Sequence, residues 1–145
     1  VYYVTITNCY ASGNATASSS GGSSCDAYGT AGGLVGCVDH VTITNCYALG
    51  DVSSSASGNE IRAYAGGIVG VSGGSETYYL NSYRYEKQII KINGASKPSN
   101  TSGTECTLDQ LNDMSFYTTS LGWDSTLWDL TNLDLKKGKY PVFLK

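Results

Sequence analysis

The stretch Val-Thr-Ile-Thr-Asn-Cys-Tyr-Ala occupies residues 4–11 and recurs unchanged at residues 41–48, an offset of 37 positions. A second motif, Ala-Gly-Gly-Leu-Val-Gly at 31–36, returns as Ala-Gly-Gly-Ile-Val-Gly at 65–70, an offset of 34 positions. A degraded third copy of the first motif follows in Leu-Asn-Ser-Tyr at 80–83. Constant motifs joined by spacers of different length indicate a repeat protein whose strands stack while its connecting loops vary.

Both motifs have the character of β-strands. Apolar and polar β-branched residues alternate in 41–44, as in a strand with one buried face. The glycines around Leu34 and Val35 suit sites where strands bend and backbones approach closely. Copies of one strand are expected to pair in parallel about 4.8 Å apart, with equivalent side chains above one another. The predicted stacks are Val4 and Val41; Ile6 and Ile43; Asn8, Asn45 and Asn81; Cys9, Cys46 and Ser82; and Tyr10, Tyr47 and Tyr83.

These patterns predict an all-β fold: a right-handed parallel β-helix, or β-solenoid, of about three coils over residues 1–92. Residues 93–106 are rich in Gly, Ser, Thr and Asn and are predicted to form a linker loop. Residues 107–145 are predicted to be a C-terminal capping region, because a solenoid end exposes unpaired strands. Thr107 and Gln110 have capping-box spacing, which predicts a short helix. Both tryptophans and both phenylalanines lie in this region, as in a plug over an open core.

Charge is distributed unevenly along the chain. The chain has 9 Lys and Arg against 12 Asp and Glu, and residues 1–61 contain no Lys or Arg. Without a basic stripe, nucleic acid is excluded as a partner. No run approaches the roughly 20 apolar residues of a membrane span. The chain opens at Val1, inside a repeat, so we expect it to be a piece of a longer protein with its signals and anchors elsewhere.

The two Gly-Gly-Leu/Ile-Val-Gly motifs, each followed by an Asn-Cys/Ser-Tyr element, resemble the GLUG motif repeats of large bacterial surface and secreted proteins. The Leu-Gly-Trp element at 121–123, Trp128 and the end 140–144 resemble the segment that often follows such repeats. The resemblance implies a structural or adhesive module outside the cell or on its surface. Such repeats also accompany zinc metallopeptidases that cleave immunoglobulin A. Their zinc-binding helix needs two histidines, and this chain has one, so the resemblance carries no protease activity.

No metal, cofactor or catalytic site is predicted. His40 follows Asp39 in a turn and has no second histidine to share a metal with, so we interpret it as an exposed turn residue. The five cysteines contain no Cys-x-x-Cys pair, which argues against structural zinc. Cys9 and Cys46 are expected to be stacked, buried free thiols, because equivalent positions about 4.8 Å apart exceed the Cβ separation that a disulfide prefers. Cys37 aligns with Val71, which suggests an apolar interior position. Cys25 and Cys106 fall in loop or linker sequence, paired or idle.

The alternatives to a structural module are a glycan-binding module and, less favoured, a polysaccharide-active β-helix enzyme. The enzyme needs carboxylates clustered on one face of adjacent coils. The acids of the repeat region do not align in this way, since Asp51 faces Asn14. For binding, the candidate residues are Tyr10, Tyr47 and Tyr83, which form an aromatic ladder if they point outward and belong to the core if they point inward. The expected partners are a host glycan or protein, or other domains of a longer parent chain.

Overall fold

The computed structural model describes residues 3–22, 26–58, 61–73, 77–96 and 102–144. Within these ranges the chain forms sixteen short β-strands and three short helical segments. The strands are β1 (Val4–Thr7), β2 (Tyr10–Ala11), β3 (Ala15–Ser20), β4 (Ala27–Gly32), β5 (Val35–Val38), β6 (Val41–Thr44), β7 (Tyr47–Ala48), β8 (Val52–Ser57), β9 (Ile61–Gly66), β10 (Val69–Ser72), β11 (Tyr78–Leu80), β12 (Tyr83–Tyr85), β13 (Ile90–Ile92), β14 (Thr104–Cys106), β15 (Trp128–Asp129) and β16 (Val142–Phe143). The first repeat comprises β1–β5, the second comprises β6–β10, and the third comprises β11–β13.

Strands of successive repeats pair in parallel, and their register follows the sequence repeat. β6 lies between β1 and β11 in one sheet, where Val4 pairs with Val41 and Ile6 pairs with Ile43. β7 lies between β2 and β12, β8 lies between β3 and β13, and β4 and β5 pair with β9 and β10. The predicted parallel stacking of equivalent residues is confirmed for these strands. The prediction of a mostly β fold is confirmed as well.

Alternation along each strand places apolar side chains inside the stack. Val41 and Ile43 are buried, whereas Thr42 and Thr44 are half-exposed. Each buried aliphatic side chain of this size contributes about 1.5–3 kcal/mol relative to exposure. Two interior clusters result. The first contains Val38, Val41, Ile43, Cys46, Ala48, Ile68 and Val69, and the second contains Ala31, Val52, Ala65 and Ile90.

Three asparagines at equivalent positions reverse the chain after β1, β6 and β11. Asn8, Asn45 and Asn81 have φ of 53°, 56° and 45°, in the left-handed region that asparagine tolerates better than most residues. The Asn45 amide donates to Asn8 Oδ1 at 3.2 Å, and the Asn81 amide donates to Asn45 Oδ1 at 3.2 Å. The predicted amide ladder is therefore confirmed, and it holds the same sharp turn in each repeat.

The glycines of the second motif are required by close approach of backbones. A Cβ added at Gly33 would lie 2.1 Å from the carbonyl oxygen of Gly67, and one at Gly70 would lie 2.4 Å from that of Ala31. These contacts join equivalent turns of neighbouring repeats. Any larger residue would force the repeats apart, so this motif sets the spacing of the stack.

The C-terminal segment begins with helix α1 (Leu108–Leu111), whose N-cap is Thr107. The Thr107 side chain accepts from the backbone N–H of Gln110, and the Gln110 side chain accepts from the backbone N–H of Thr107. This reciprocal pair confirms the predicted capping box. A π-helical segment (Phe116–Ser120), the antiparallel pair β15–β16 and a 3₁₀ turn (Leu135–Lys137) follow.

The large side chains of this segment pack along the flank of the repeats. They form the flank cluster of Tyr47, Cys106, Leu111, Phe116, Tyr117, Leu121, Trp123, Leu130 and Leu135, with Tyr10 and Tyr83 packed against it. The aromatic residues were expected to form a plug over an open core. The structure instead places them against β2, β7 and β12, because the stacked tyrosines of three repeats present one continuous apolar surface there.

The thiols differ in part from expectation. Cys9, Cys37, Cys46 and Cys106 are all free. Cys46 is buried as predicted, but Cys9 is exposed, because the first repeat has no described strand on its other side to cover it. The interior position predicted for Cys37 is wrong: it pairs with Val71 in register, as expected, but its side chain points outward. Cys25 lies outside the described residues.

The stretch 93–106, predicted as a linker, ends in strand β14. This strand pairs in parallel with β12, so that Tyr83 lies opposite Thr104, and it adds a fourth strand to the β2–β7–β12 sheet. Residues 97–101 lie outside the described part of the chain. In the described residues, no helix has the length and apolar character needed to cross a membrane.

Candidate binding groove

The three predicted binding residues point away from the interior core and toward the C-terminal segment. Tyr10 and Tyr47 stack with ring centroids 5.2 Å apart and planes 9° apart. Tyr47 is fully buried, while Tyr10 and Tyr83 are half-buried. Tyr83 meets the Phe116 ring edge-on at 4.9 Å. Since Tyr47 offers no surface to a ligand, a binding role stays a prediction only for the accessible edges of Tyr10 and Tyr83.

The hydroxyls beneath the C-terminal segment are held in a dry environment. Tyr117 donates to the carbonyl oxygen of Leu111 at 2.7 Å, and its hydroxyl lies 3.5 Å from that of Tyr47. Burial raises the pKa of both tyrosines well above the ordinary value. The Trp123 indole N–H donates to the carbonyl oxygen of Asn45 at 2.8 Å. These groups fasten the segment to the repeats and remain neutral.

A groove follows the seam between the repeats and the C-terminal segment. Its central cavity, about 250 Å³, adjoins a cavity of about 210 Å³ at one end and one of about 380 Å³ at the other. The central and smaller cavities share Asn14 and Asp51, and the central and larger cavities share Tyr85 and Leu108. We call the surface formed by these three neighbouring cavities the seam groove.

The wall of the seam groove on the repeat side is a ladder of polar side chains. Asn14 Oδ1 accepts from the backbone N–H of Asp51 at 2.9 Å, and Asp51 Oδ1 accepts from the backbone N–H of Ile89 at 2.9 Å. Thr16 and Ser53 share a hydrogen bond of 3.2 Å between hydroxyls. One oxygen of each ladder residue is thus held in place by a neighbouring repeat, which fixes its orientation.

The central cavity has an aromatic and apolar lining. Tyr85 comes from β12 of the third repeat, and Tyr140 comes from the C-terminal segment, where its ring stacks on Tyr10 at 6.0 Å. Leu49, Leu108 and Leu135 complete the lining. The groove therefore places half-buried tyrosines beside fixed amide and carboxylate groups.

A further cavity, about 460 Å³, lies within the C-terminal segment and shares Tyr140 with the seam groove. Asp129, Asn132 and Lys139 contribute its polar groups. Asp129 Oδ1 accepts from the hydroxyl and the backbone N–H of Thr131, which holds the pKa of that carboxyl below its usual range. Asn132 and Lys139 are exposed, and Asp129 is half-buried in strand β15.

The remaining polar residues singled out from the sequence lie apart from the groove. His40 Nδ1 lies 2.8 Å from the exposed carboxylate of Asp39, and the Tyr3 ring meets the imidazole edge-on at 5.7 Å. Asp26 accepts from the Tyr28 hydroxyl at 3.4 Å. Among the described residues, no three His, Cys, Asp or Glu side chains are grouped as a metal ion would require. The predicted alignment of Asp51 with Asn14 is confirmed.

Sequence reasoning missed most of the groove. Tyr85 follows Tyr83 by two positions, and strand alternation places both side chains on one face. The location of Tyr85 beside Tyr83 could therefore be predicted from the sequence. The location of Tyr140 could not be predicted, because the C-terminal segment contains no repeat from which its position follows. The repeat aligns Asn14 with Asp51 but gives no sign that the two line a groove.

The fold and groove define a repeat protein with parallel, in-register strands and a C-terminal segment packed on their flank. Residues 27–53 match the family model of the GLUG motif, the family that the sequence resembles. The match begins at the first residue of β4 and ends within β8, so it covers the junction of two repeats. Comparisons with curated proteins and with solved structures found no match.

Proposed function

We propose that this chain is a non-catalytic structural and adhesive module of a bacterial cell-surface or secreted protein. In this proposal the repeats are the coils of a right-handed parallel β-helix. The in-register pairing of equivalent strands across three repeats is the observation that supports it most directly. Such stacks hold their shape through contacts between neighbours and therefore serve as stiff, extended supports.

The C-terminal segment supports a role as a self-contained module. It covers the aromatic flank that the tyrosine stack would otherwise expose, and exposed apolar patches of that kind favour association. Trp123, Tyr117 and Leu121 are almost fully buried in this contact. The module then presents the outer surface of its repeats and the seam groove to the surroundings of the cell.

A glycan-binding module is the second candidate, and the seam groove favours it. The polysaccharide-active enzyme has less support, since the acids of the repeats lie at non-equivalent positions. Asp26 contacts Tyr28, Asp39 contacts His40, and Asp51 belongs to the polar ladder along the seam groove. The partners proposed are host glycans or proteins, or other domains of a longer parent chain, at an extracellular or cell-surface location.

Two assays on the purified domain test this proposal together. The domain is coupled to beads and its retention on host cells, matrix proteins and immobilised glycans is measured, while soluble polysaccharides incubated with it are assayed for new reducing ends. We expect saturable retention and no reducing ends above those of buffer alone. Release of reducing ends would contradict the non-catalytic role. Retention on no surface would contradict the adhesive role and leave a spacer.

A further inference from the structure

We propose that the seam groove binds an extended, uncharged oligosaccharide. This inference rests on the proposed adhesive function and assigns it a site other than the tyrosine stack. The groove lies where side chains of three repeats and of the C-terminal segment converge, so that it exists only in the fully folded chain.

The dimensions of the groove suit a chain of several sugar units. Its three cavities, of about 210, 250 and 380 Å³, are neighbours that share lining residues, and a ligand spanning them would occupy a volume in the range of ligand sites. They follow one another along the seam, with Asn14 and Asp51 at one junction and Tyr85 and Leu108 at the other. An elongated ligand can occupy all three, whereas a compact one fills a single cavity.

The central cavity offers both surfaces that a sugar ring needs. The C–H face of a pyranose packs on aromatic rings, and Tyr85 and Tyr140 supply two half-buried rings beside Leu49. Neither tyrosine hydroxyl has a hydrogen-bond partner among the described residues, so both are available to donate or accept.

The ladder residues supply fixed polar groups of both kinds. Asn14 uses its Oδ1 within the ladder and leaves its NH₂ as a donor, and Asp51 uses its Oδ1 and leaves its Oδ2 as an acceptor. Neighbouring sugar hydroxyls act as donor and acceptor at once, so they match this pair. Because the next repeat already fixes each side chain, little freedom is lost on binding.

The charges around the groove favour an uncharged ligand. The charged side chains lining it are three acids and three bases: Asp51, Glu86 and Asp109, and Lys87, Lys91 and Lys136. A polyanion requires an excess of bases, which this surface lacks. A protein partner requires an interface of about 1,000 Å² or more with apolar anchors, whereas the apolar lining here is divided among small cavities, with Leu49, Leu108 and Leu135 in the central one and Val52 and Ile89 in the smaller one.

The test compares two double variants of the whole chain. Tyr85→Phe with Asp51→Asn removes a hydroxyl and an acceptor from the groove, and asparagine already occupies the equivalent ladder position in the first repeat. Tyr78→Phe with Asp26→Asn makes the same chemical changes outside the groove, at an exposed tyrosine and an exposed acid. Circular dichroism and urea unfolding establish that both variants fold.

The probes are cellohexaose, mannohexaose, maltohexaose and chitohexaose, with a sulfated dextran oligosaccharide as the charged comparison, titrated against the ¹⁵N-labelled domain. We expect at least one neutral hexasaccharide to bind saturably, with shift changes centred on Asp51 and Tyr85. The groove variant should weaken Kd at least tenfold, and the variant outside the groove should leave it unchanged.

Binding of the sulfated probe alone, equal affinity of the two variants, or shift changes elsewhere would overturn the inference. So would binding of none of the neutral probes. Bead retention on host surfaces that the groove variant does not alter would leave the adhesive function standing without this site. If even the wild-type domain is retained on no surface, the adhesive function is contradicted as well.

Discussion

At the scale of single residues, the left-handed asparagines carry the turn that makes the repeats alike. An asparagine suits this position twice, because it tolerates positive φ and because its amide donates to the repeat before it and accepts from the repeat after it. Asn45 makes both ladder hydrogen bonds, to Asn8 and from Asn81. Asn45, the middle residue, should therefore contribute most to the stability of the stack.

Replacing Asn45 separates the two contributions. Asn45→Ala loses the ladder hydrogen bonds and places an alanine at φ of 56°, which costs about 1–2 kcal/mol for the backbone alone. Asn45→Gly loses the hydrogen bonds without that strain. We expect urea unfolding to show both variants destabilised, with the glycine variant the more stable by about 1 kcal/mol. Equal stability of the two variants would show that the turn does not depend on backbone strain.

Thiol reactivity distinguishes the exposed cysteines from the buried ones. Cys9 and Cys37 are exposed, whereas Cys46 and Cys106 are buried. In a background with Cys25 replaced by serine, we expect two thiols to react with a disulfide reagent in the native protein and the other two only after unfolding. Mass spectrometry of the labelled peptides identifies them. Rapid labelling of Cys46 in native buffer would contradict the interior placement.

The buried thiols also make stability depend on pH. Burial raises the pKa of Cys46 to about 11 and that of Cys106 to about 12, against about 8.5 in an unfolded chain. Above pH 8.5 the unfolded chain loses these protons first, so unfolding becomes easier as pH rises toward 11. We expect the urea midpoint to fall between pH 8.5 and 11, and to fall less in a Cys46→Ala, Cys106→Ala variant. A midpoint constant over this range in the wild type would contradict the burial of both groups.

Residue positions could be predicted from the sequence wherever the repeat is intact. Identical motifs fix the register, so the stacks of valine, isoleucine, asparagine and tyrosine followed directly from alignment. The side chain of Cys37 could not be placed in the same way. Its motif is apolar on both sides of the strand, so alternation does not show which side chains point to the interior. Alignment with Val71 does not show it either.

At the scale of elements, the C-terminal segment determines what the tyrosine stack does. Strand alternation turns Tyr47 outward and Ala48 inward, and the outward tyrosines would be exposed without a cover. Trp123 anchors that cover by donating to a backbone carbonyl in the turn of the second repeat. The composition of the segment predicted a covering role, but its location on the flank could not be predicted, since no repeat relates it to the strands.

The two tryptophans allow a matched test of this anchor. Trp123→Phe leaves the partly buried carbonyl oxygen of Asn45 without its indole donor, which costs about 1 kcal/mol or more in addition to lost packing. Trp128→Phe removes the same atoms from a half-buried ring whose indole makes no hydrogen bond to the described residues of the repeats. We expect urea unfolding to show the larger loss of stability for Trp123→Phe. A larger loss for Trp128→Phe would place the anchor elsewhere.

At the scale of the whole molecule, stacked repeats and the flank segment act together. Equivalent strands pair across three repeats, the glycine motif sets their spacing, and the segment covers their aromatic side. The seam groove arises only from this combination. The sequence could therefore predict the stack, but it could not predict a groove whose two walls come from parts of the chain with no shared pattern.

The central claim is that the repeats stack in parallel and in register, and spin labels on the outer face of β3 and β8 test it most directly. Ser20 pairs with Ser57, whereas Thr16 lies four residues earlier on the same strand. With exposed native thiols replaced, labels at 20 and 57 should be attached to backbones about 4.8 Å apart, and labels at 16 and 57 to backbones separated by about 13 Å along the strand. The account predicts strong dipolar broadening for the first pair and weak broadening for the second. Equal broadening, or stronger broadening for the second pair, would contradict the in-register parallel stack.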